Sequence, residues 1–165
     1  MDDTRLHRLT PQEIDAVCAL ARTVWQATYP ALISQAQIDA MLADRYAADR
    51  IRSQLDDPDH AWWVARQGQA TVGFAHAVRD GVRCKLDKLY VDPDHQRQGV
   101  GATLLLAVRE WARQGQGRRL WLQVNRGNTQ AVAAYLKYGF GITESRVFDI
   151  GHGFVMDDHV MELPL

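Results

Sequence analysis

The sequence has few of the features that mark metal-binding, disulfide-rich, membrane or nucleic-acid-binding proteins. Its two cysteines, Cys18 and Cys84, both lie in apolar patterns, so we expect buried thiols and neither a metal site nor a disulfide framework. No apolar run reaches the length of a membrane-spanning helix. The first residues, Met1-Asp2-Asp3, carry no apolar signal segment, which predicts a cytoplasmic protein without a membrane partner. The formal net charge of −1 offers no basic surface, so we expect no nucleic-acid partner.

The length and composition predict a single globular domain over residues 1–165. A chain of 165 residues is long enough to bury a sizeable core. Its contents of 47% apolar and 24% charged residues are ordinary for a globular protein, and no internal repeat or linker divides it.

Apolar periodicity predicts an α/β chain of the α+β kind, in which strands and helices are mixed. Thr10 and Ser34 are expected to cap the first two helices, and Asn128 the last. A strand over 82–91, a helix over 100–113 and a strand over 118–125 follow one another, an order that implies a parallel crossover. The other expected elements are strands over 5–9, 61–66 and 70–78, a helical turn or two over 48–55, and a final hairpin that turns at Gly151-His152-Gly153.

A glycine-rich turn separates the strand over 82–91 from the helix that follows it. The first backbone N–H groups of a helix lack intrahelical partners and the helix dipole favours negative charge there, so such a turn suits an anion. Arg97 adds a fixed positive charge, and Gly99 and Gly101 let a ligand approach the backbone. We therefore expect a phosphorylated ligand at this turn. Its residues are Gln96, Arg97, Gln98, Gly99, Val100, Gly101 and Ala102.

Two familiar phosphate-binding patterns do not fit this turn. A dinucleotide-binding turn would have a third small residue at position 104, where this sequence has Leu104. A nucleoside-triphosphate loop would have Gly-Lys-Ser/Thr, and no lysine lies between Gln96 and Arg109. What remains is the pattern Gln-x-x-Gly-x-Gly between a strand and a helix.

The strand before the turn changes its apolar phase. Apolar residues fall at even positions from 82 to 86 and at odd positions from 89 to 91. Because alternate residues of a strand face opposite sides, this change predicts one extra residue, a β-bulge near Asp87-Lys88.

A second motif follows the strand over 118–125. The helix expected from Asn128 reads Asn-Thr-Gln-Ala-Val-Ala-Ala-Tyr-Leu-Lys-Tyr-Gly-Phe, and Asn128 and Tyr135 share one face of it. The two motifs resemble the GNAT superfamily of N-acetyltransferases, whose patterns are Gln/Arg-x-x-Gly-x-Gly/Ala and Asn-x-x-Ala-x-x-x-Tyr-x-Lys-x-Gly-Phe. The resemblance covers most of the chain from Ala61 onward. The segment Trp-x-x-x-Tyr-Pro and the ending Met-Asp-Asp-His-Val-Met-Glu are loosely similar to the bacterial PaiA-type polyamine acetyltransferases.

The resemblance implies the GNAT fold, with acetyl-CoA as the co-substrate and no metal. This fold is a mixed, mostly antiparallel central sheet of six to seven strands, flanked by about four helices and splayed at the acetyl-CoA site. The resemblance also implies roles for individual residues. The turn over 96–102 would hold the CoA phosphates, and the backbone of Leu89, Tyr90 and Val91 would pair with the pantetheine amides. Asn128 would hydrogen-bond to the pantetheine, and Tyr135 would be the general acid that protonates the CoA sulfur.

The general base is the point at which this sequence departs from the family pattern. Many relatives carry a glutamate at the position that aligns with Lys85 here. The nearby carboxylate is Asp87, which becomes the candidate base acting through water. A plain ion pair of Asp87 with a neighbouring lysine is the alternative. His76 lies on an apolar face and is expected to be a core histidine rather than a base, and His152 is a more remote candidate.

The acceptor is expected to be a primary amine. Tyr29, beside the break at Pro30, is the candidate for its pocket, whereas Trp25 on the same helical face is expected to pack in the core. A polyamine or similar small amine is the first expectation and a protein or peptide α-amine is the second.

A CoA-binding module with a decayed active site is the alternative to an enzyme, and the missing glutamate suggests it. The family and an exposed last strand would also allow a homodimer.

Overall fold

A computed structural model describes residues 3–165, and Met1 and Asp2 lie outside the described residues. The strands are β1 (Thr4–Arg8), β2 (His60–Gln67), β3 (Ala70–Asp80), β4 (Arg83–Val91), β5 (Arg119–Asn125), β6 (Gly141–Gly151) and β7 (Phe154–Pro164). The helices are α1 (Ile14–Thr28), α2 (Gln35–Arg45), α3 (Ala48–Leu55), α4 (Val100–Gln114) and α5 (Thr129–Lys137), with short 3₁₀ turns at Pro11–Glu13 and Pro93–His95.

Over residues 3–165 the seven strands form one sheet in the order β1-β2-β3-β4-β5-β7-β6. All neighbouring pairs are antiparallel except β4 and β5, which α4 connects by a crossover. The expected fold class, a mixed and mostly antiparallel sheet of the GNAT type, is confirmed. Whether the whole chain behaves as one domain stays a prediction.

The sheet is covered on both faces, and each face has its own core. Helix α4 packs against β3 and β4 on one side, where Leu104 and Val108 are fully buried. Helices α1, α2 and α3 cover the opposite side, where Trp25, Ile38 and Ile51 are buried. We call these the α4 face and the α1 face. Because apolar burial on both faces contributes most of the stability, the strands between them are held in a fixed position.

Helix caps fall where the sequence predicts them. The Thr10 backbone N–H donates to Glu13 at 3.1 Å in the 3₁₀ turn before α1. The Ser34 hydroxyl accepts from the Gln37 N–H at 3.1 Å at the start of α2. These contacts satisfy N–H groups that have no intrahelical partner, so they fix where each helix begins.

The expected bulge in β4 is present at Asp87. Lys88 lies opposite His76 and Leu86 lies opposite Ala77, so Asp87 is the extra residue between two paired positions. Such a residue bends its strand and re-aims the side chains that follow it.

Strands β4 and β5 separate shortly before this bulge. Their parallel pairing runs from Arg83 to Lys85 on β4, opposite Arg119 to Trp121 on β5, and goes no further. From Leu86 onward the edge of β4 that faces β5 has no strand partner among the described residues. The predicted splay of the sheet is therefore confirmed.

The start of α4 lies close against β3 because position 73 has no side chain. A Cβ on Gly73 would lie 3.0 Å from Val100 Cγ1 and 3.2 Å from the Tyr90 carbonyl oxygen. We expect Gly73→Ala to lower the free energy of unfolding by about 1–3 kcal/mol, because a side chain there overpacks the contact between helix and sheet. Chemical denaturation measures this change.

Gly141→Ala is the matched control for this prediction. Gly141 lies in β6, and a Cβ added there would meet no other atom within 4 Å. Alanine should be neutral or slightly stabilising at this position, since it reduces the conformational entropy of the unfolded chain. Equal effects of the two substitutions would contradict the close approach of α4 to β3.

Candidate active site

A cavity of about 680 Å³ lies where β4 and β5 separate. Its wall on the α4 face comes from the turn before α4, from the start of α4 and from α5. Its wall on the α1 face comes from the end of α1, from Met41 and Arg45 of α2, and from the hairpin of β6 and β7. The cavity therefore connects the two faces of the sheet, and two ligands can meet in it from opposite sides.

The glycine-rich turn has a conformation that exposes backbone to the cavity. Gly99 has a φ of +81° and Arg97 a φ of +66°, both in the left-handed region, and α4 begins at Val100. The space around Gly99 is open, so a ligand can come close to its backbone. A helix start with free N–H groups, next to an arginine, fits the phosphates of CoA.

Not every residue of the turn faces the cavity. The residues Gln96, Arg97, Gly99, Val100 and Gly101 contribute to its wall. Gln98 instead accepts a hydrogen bond from the Gln67 side chain at 2.9 Å. Ala102 lies in the first turn of α4, outside the cavity wall. Their predicted role in binding acetyl-CoA, like that of the other site residues, stays a prediction.

The unpaired edge of β4 forms one side of the cavity. Leu89, Tyr90 and Val91 all line it, on the stretch that no longer pairs with β5. A strand edge with free N–H and C=O groups can pair with amides of an extended ligand as a further strand would. This geometry fits the pantetheine arm of acetyl-CoA.

Helix α5 brings Asn128 and Tyr135 to the same cavity. Asn128 caps the helix, because its Oδ1 accepts the Ala131 N–H at 3.3 Å, which leaves its amide nitrogen as the group that could donate to a ligand. The Tyr135 ring packs edge-on against Phe140, with 5.5 Å between the centroids. Burial raises the pKa of Tyr135 above its ordinary value, so its hydroxyl is protonated at neutral pH and can donate a proton.

Asp87 lines the cavity but is surrounded by positive charge. Its Oδ2 lies 2.6 Å from Lys88 Nζ and 3.2 Å from Arg45 Nη2, and its Oδ1 lies 3.4 Å from Lys85 Nζ. Burial opposes its ionisation, but the contact with His76 and the charges of Lys88 and Arg45 outweigh burial, so its pKa lies well below the ordinary value. Asp87 is therefore ionised near neutral pH and would hold a proton only briefly. Its role as the base stays a prediction.

Three aromatic side chains form the cavity wall on the α1 face. The hydroxyls of Tyr29 and Tyr90 are 3.0 Å apart, and the rings of Trp25 and Tyr29 lie with centroids at 4.4 Å. Trp25 is only 1% exposed, as expected for a core residue, yet it also contributes to the cavity wall. Aromatic faces attract ammonium groups, so this wall suits a cationic acceptor.

Asp158 is a cavity residue that the sequence did not predict. It lies on β7 opposite Asn125 of β5 and is 2% exposed. Its Oδ2 accepts a long hydrogen bond of 3.4 Å from Gln123, whereas its Oδ1 is buried without a hydrogen-bond partner among residues 3–165. Burial and the nearby Asp157 raise its pKa above the ordinary value. In the sequence of β7, Asp158 alternates with the apolar residues Met156 and Val160, and this position could have indicated that its side chain is buried.

Comparison with known proteins identifies the family. The acetyltransferase (GNAT) family matches residues 20–140, and the chain therefore belongs to this family. It is an N-acetyltransferase with acetyl-CoA as its co-substrate.

Three relatives illustrate the range of this family. The chain is 21% identical over 156 residues to the spermidine N(1)-acetyltransferase of Thermoplasma acidophilum, covering 92% of this chain and 94% of that protein. It is 30% identical over 112 residues to the N-alpha-acetyltransferase RimI of Mycobacterium tuberculosis, covering 64% and 69% of the two chains. The crystal structure of the PaiA N-acetyltransferase from Thermoplasma acidophilum in complex with coenzyme A has the same fold, with a TM-score of 0.88, 20% identity and 99% of both chains covered.

Two further properties concern the described residues alone. Residues 3–165 contain no group of three or more His, Cys, Asp and Glu side chains that could hold a metal ion. No helix in that part of the chain is long and apolar enough to cross a membrane.

We expect Arg97→Ala to weaken acetyl-CoA binding about 5- to 30-fold, because it removes a charge-assisted contact to phosphate. The loss should shrink at high salt, which screens the contact in the native chain. Arg113→Ala, at the far end of α4, is the matched control and should leave the affinity unchanged. Calorimetric titration at two salt concentrations measures both. Equal affinities of the Arg97 variant and the native chain would place the phosphates elsewhere.

Proposed function

We propose that this enzyme transfers the acetyl group of acetyl-CoA to a primary amine of a small cationic acceptor such as a polyamine. The observation that carries this proposal is the Asp158 carboxylate, whose Oδ1 is buried at the cavity without a hydrogen-bond partner in the described chain. A buried carboxylate oxygen without a hydrogen-bond partner is costly, and an ammonium group is a ligand that would remove this cost.

The surroundings of Asp158 strengthen the preference for a small amine. The acceptor would enter from the α1 face, where Trp25, Tyr29 and Tyr90 offer aromatic surface to its cationic and apolar parts. The hairpin of β6 and β7 also lines the cavity, and the Gln37 side chain ties it to α2 through a 2.8 Å hydrogen bond to the Val155 carbonyl. A pocket walled by α1, α2 and this hairpin favours a slender amine over a folded protein surface.

Acetyl-CoA supplies the thioester, and the residues of the chain position it and move protons. Gln96, Arg97 and Gly99 would hold the phosphates, and backbone N–H groups at Leu89 to Val91 would hold the pantetheine and polarise the carbonyl. Tyr135 would give its proton to the departing sulfur. An alkyl amine has a pKa of about 10, so a group in the cavity must also take a proton from the acceptor. Asp87, acting through water, is the group we propose for that step.

The relatives agree with this proposal in part. The spermidine acetyltransferase matches this chain over nearly its full length, and its named acceptor is a small amine. The RimI enzyme, named for α-amine acetylation, keeps a protein or peptide α-amine as the second candidate. A CoA-binding module without activity is not favoured, because the candidate proton donor Tyr135 lines the cavity.

The location and assembly of the chain remain predictions. We expect a cytoplasmic protein without a nucleic-acid partner, and a homodimer is the assembly that the family allows. The expectation of an exposed last strand is wrong, because β7 lies between β5 and β6. The edge strand is β6, which exposes Val147 and Ile142, and a second copy would pair there.

We expect Tyr135→Phe to lower kcat about 100-fold while acetyl-CoA affinity changes less than about 2-fold, because only the proton donor is removed. Steady-state kinetics and a binding titration separate the two effects. Tyr138→Phe, in which a second cavity tyrosine loses its hydroxyl, is the control and should retain most of the activity. Full activity of the Tyr135 variant would assign the proton donor to another group.

We expect Asp158→Asn to lower kcat/KM for spermidine about 10- to 100-fold, because it replaces an ion pair by a neutral contact. Acetyl-CoA binding should not change. Asp157→Asn is the matched control, since Asp157 is the adjacent carboxylate, pairs with Arg126 at the surface and is 57% exposed.

The acceptor panel for this experiment contains spermidine, spermine, N-terminal peptides and aminoglycosides. Turnover of polyamines that depends on Asp158 would support the proposal. Turnover of peptides alone, equal in the Asp158 and Asp157 variants, would overturn it and favour the α-amine reaction.

A further inference from the structure

A row of titratable side chains runs from the cavity along the α1 face of the sheet to the surface. Asp87 Oδ2, at the cavity, lies 2.6 Å from Lys88 Nζ, and Lys88 Nζ lies 3.1 Å from Nδ1 of His76. Nε2 of His76 lies 2.9 Å from Nδ1 of His60. The row ends at Asp57, whose Oδ2 is 3.9 Å from Nε2 of His60.

The middle of this row is shielded from solvent, whereas its surface end is not. His76 is 2% exposed and Lys88 is 4% exposed, whereas the His60 side chain is 22% exposed. The rings of His76 and Trp62 are stacked at 4.4 Å, and the His60 ring is stacked on His76 at 5.2 Å. The row is therefore continuous, shielded in the middle and open to water at His60.

The hydrogen bonds along the row define one arrangement of protons. A protonated Lys88 has only donors, so Nδ1 of His76 accepts in this contact; the same nitrogen lies 3.4 Å from Oδ2 of Asp87, which gives the relay a second, direct link between Asp87 and His76. Nε2 of His76 then carries the hydrogen and donates to Nδ1 of His60, and His60 carries its own hydrogen on Nε2. This places each ring so that it can take a proton on one nitrogen while it releases another from the opposite nitrogen.

The established reaction needs an exit for one proton. An acceptor that enters as R–NH₃⁺ and leaves as an amide loses two protons, and the CoA sulfur takes one of them. The second must leave a cavity that is filled by both substrates. We propose that Asp87, Lys88, His76 and His60 form a relay that carries this proton from the acceptor nitrogen along the α1 face of the sheet to solvent at His60.

Each step of the relay conserves protons. Asp87 takes the proton from the acceptor nitrogen, directly or through water, and passes it to Lys88 as Lys88 gives one to Nδ1 of His76. His76 releases its Nε2 proton to Nδ1 of His60, and the Nε2 proton of His60 passes to water or to Asp57. After the product leaves, Nε2 of His60 takes a proton from solvent, each proton in the row shifts back by one step, and Asp87 releases one proton to water in the emptied cavity.

The charges around the row suit brief occupancy rather than storage of the proton. Burial lowers the pKa of His76 to about 4, with the Lys88 charge acting in the same direction and Asp87 opposing it. Burial also lowers the pKa of Lys88 to about 8, against the opposing effect of Asp87 and with Arg45 and Arg50 nearby. Tyr46 also faces the Lys88 ammonium, through its ring at 5.5 Å. A proton that reaches His76 therefore moves on to His60.

The test removes the surface end of the relay and replaces it chemically. We expect His60→Ala to lower the single-turnover rate about 10- to 100-fold with unchanged acetyl-CoA affinity, since one proton-transfer group is lost. Imidazole and its methyl derivatives should restore the rate, and the restored rate should follow the pKa of the added base. His7→Ala, on β1 and outside the cavity wall, is the control, and its rate should equal the native rate with or without imidazole.

A second variant separates charge from proton transfer. Lys88→Arg keeps the positive charge beside Asp87, but a guanidinium does not give up its proton. The relay predicts a slow enzyme with native acetyl-CoA affinity and native unfolding temperature. A His60→Ala rate equal to the native rate, or a loss that no added base restores, would overturn the relay.

The relay rests on acetyl transfer and not on the acceptor proposed above. The assay therefore uses whichever amine gives turnover with the native chain, including a peptide. Failure of every polyamine would end the small-amine proposal and leave the relay to be judged on the active acceptor. An unaffected His60 variant would end the relay and leave the acceptor proposal intact.

Discussion

The structure depends on the point at which β4 and β5 stop pairing. Three residues on each strand form the parallel contact, and beyond them the two strands do not pair with each other. The apolar cores on the two faces of the sheet hold them in position there. The free edge of β4, the helix start at Val100 and the carboxylate of Asp158 all matter because they border this opening. Closed pairing along β4 would bury the same groups in an ordinary sheet, with no room for a ligand.

Local patterns in the sequence predicted the side of the opening where we propose that acetyl-CoA binds. The turn at Gly99 and the bulge at Asp87 can be recognised from a few neighbouring residues. A left-handed backbone favours glycine, and a bulge shifts the alternation of apolar residues along a strand. His76 was expected to be a satisfied core histidine, and it is buried with both ring nitrogens in hydrogen bonds. Such features need no knowledge of distant contacts.

The acceptor side could not be predicted in the same way. Asp158 meets the cavity only because β7 lies beside β5, and the pairing of these strands is a long-range property. His60 and His76 are adjacent only through the register of β2 against β3, which places Trp62 opposite His76. The surroundings of Asp87 likewise depend on Arg45, which comes from a helix far away in the sequence. The surroundings of Asp158, His76 and Asp87 therefore depend on strand register and on charged residues distant in sequence, which a local motif does not contain.

The opening also bears on whether the two ligands bind together or one after the other. The residues proposed for acetyl-CoA line the cavity on the α4 face and those proposed for the acceptor line it on the α1 face, so the cavity offers a separate wall to each ligand. Both cysteines are buried outside the cavity wall, and among residues 3–165 that wall contains no serine or cysteine to carry an acyl group. The proposed arrangement has both ligands bound together, with the acetyl group passing directly from one to the other through a gap in a sheet.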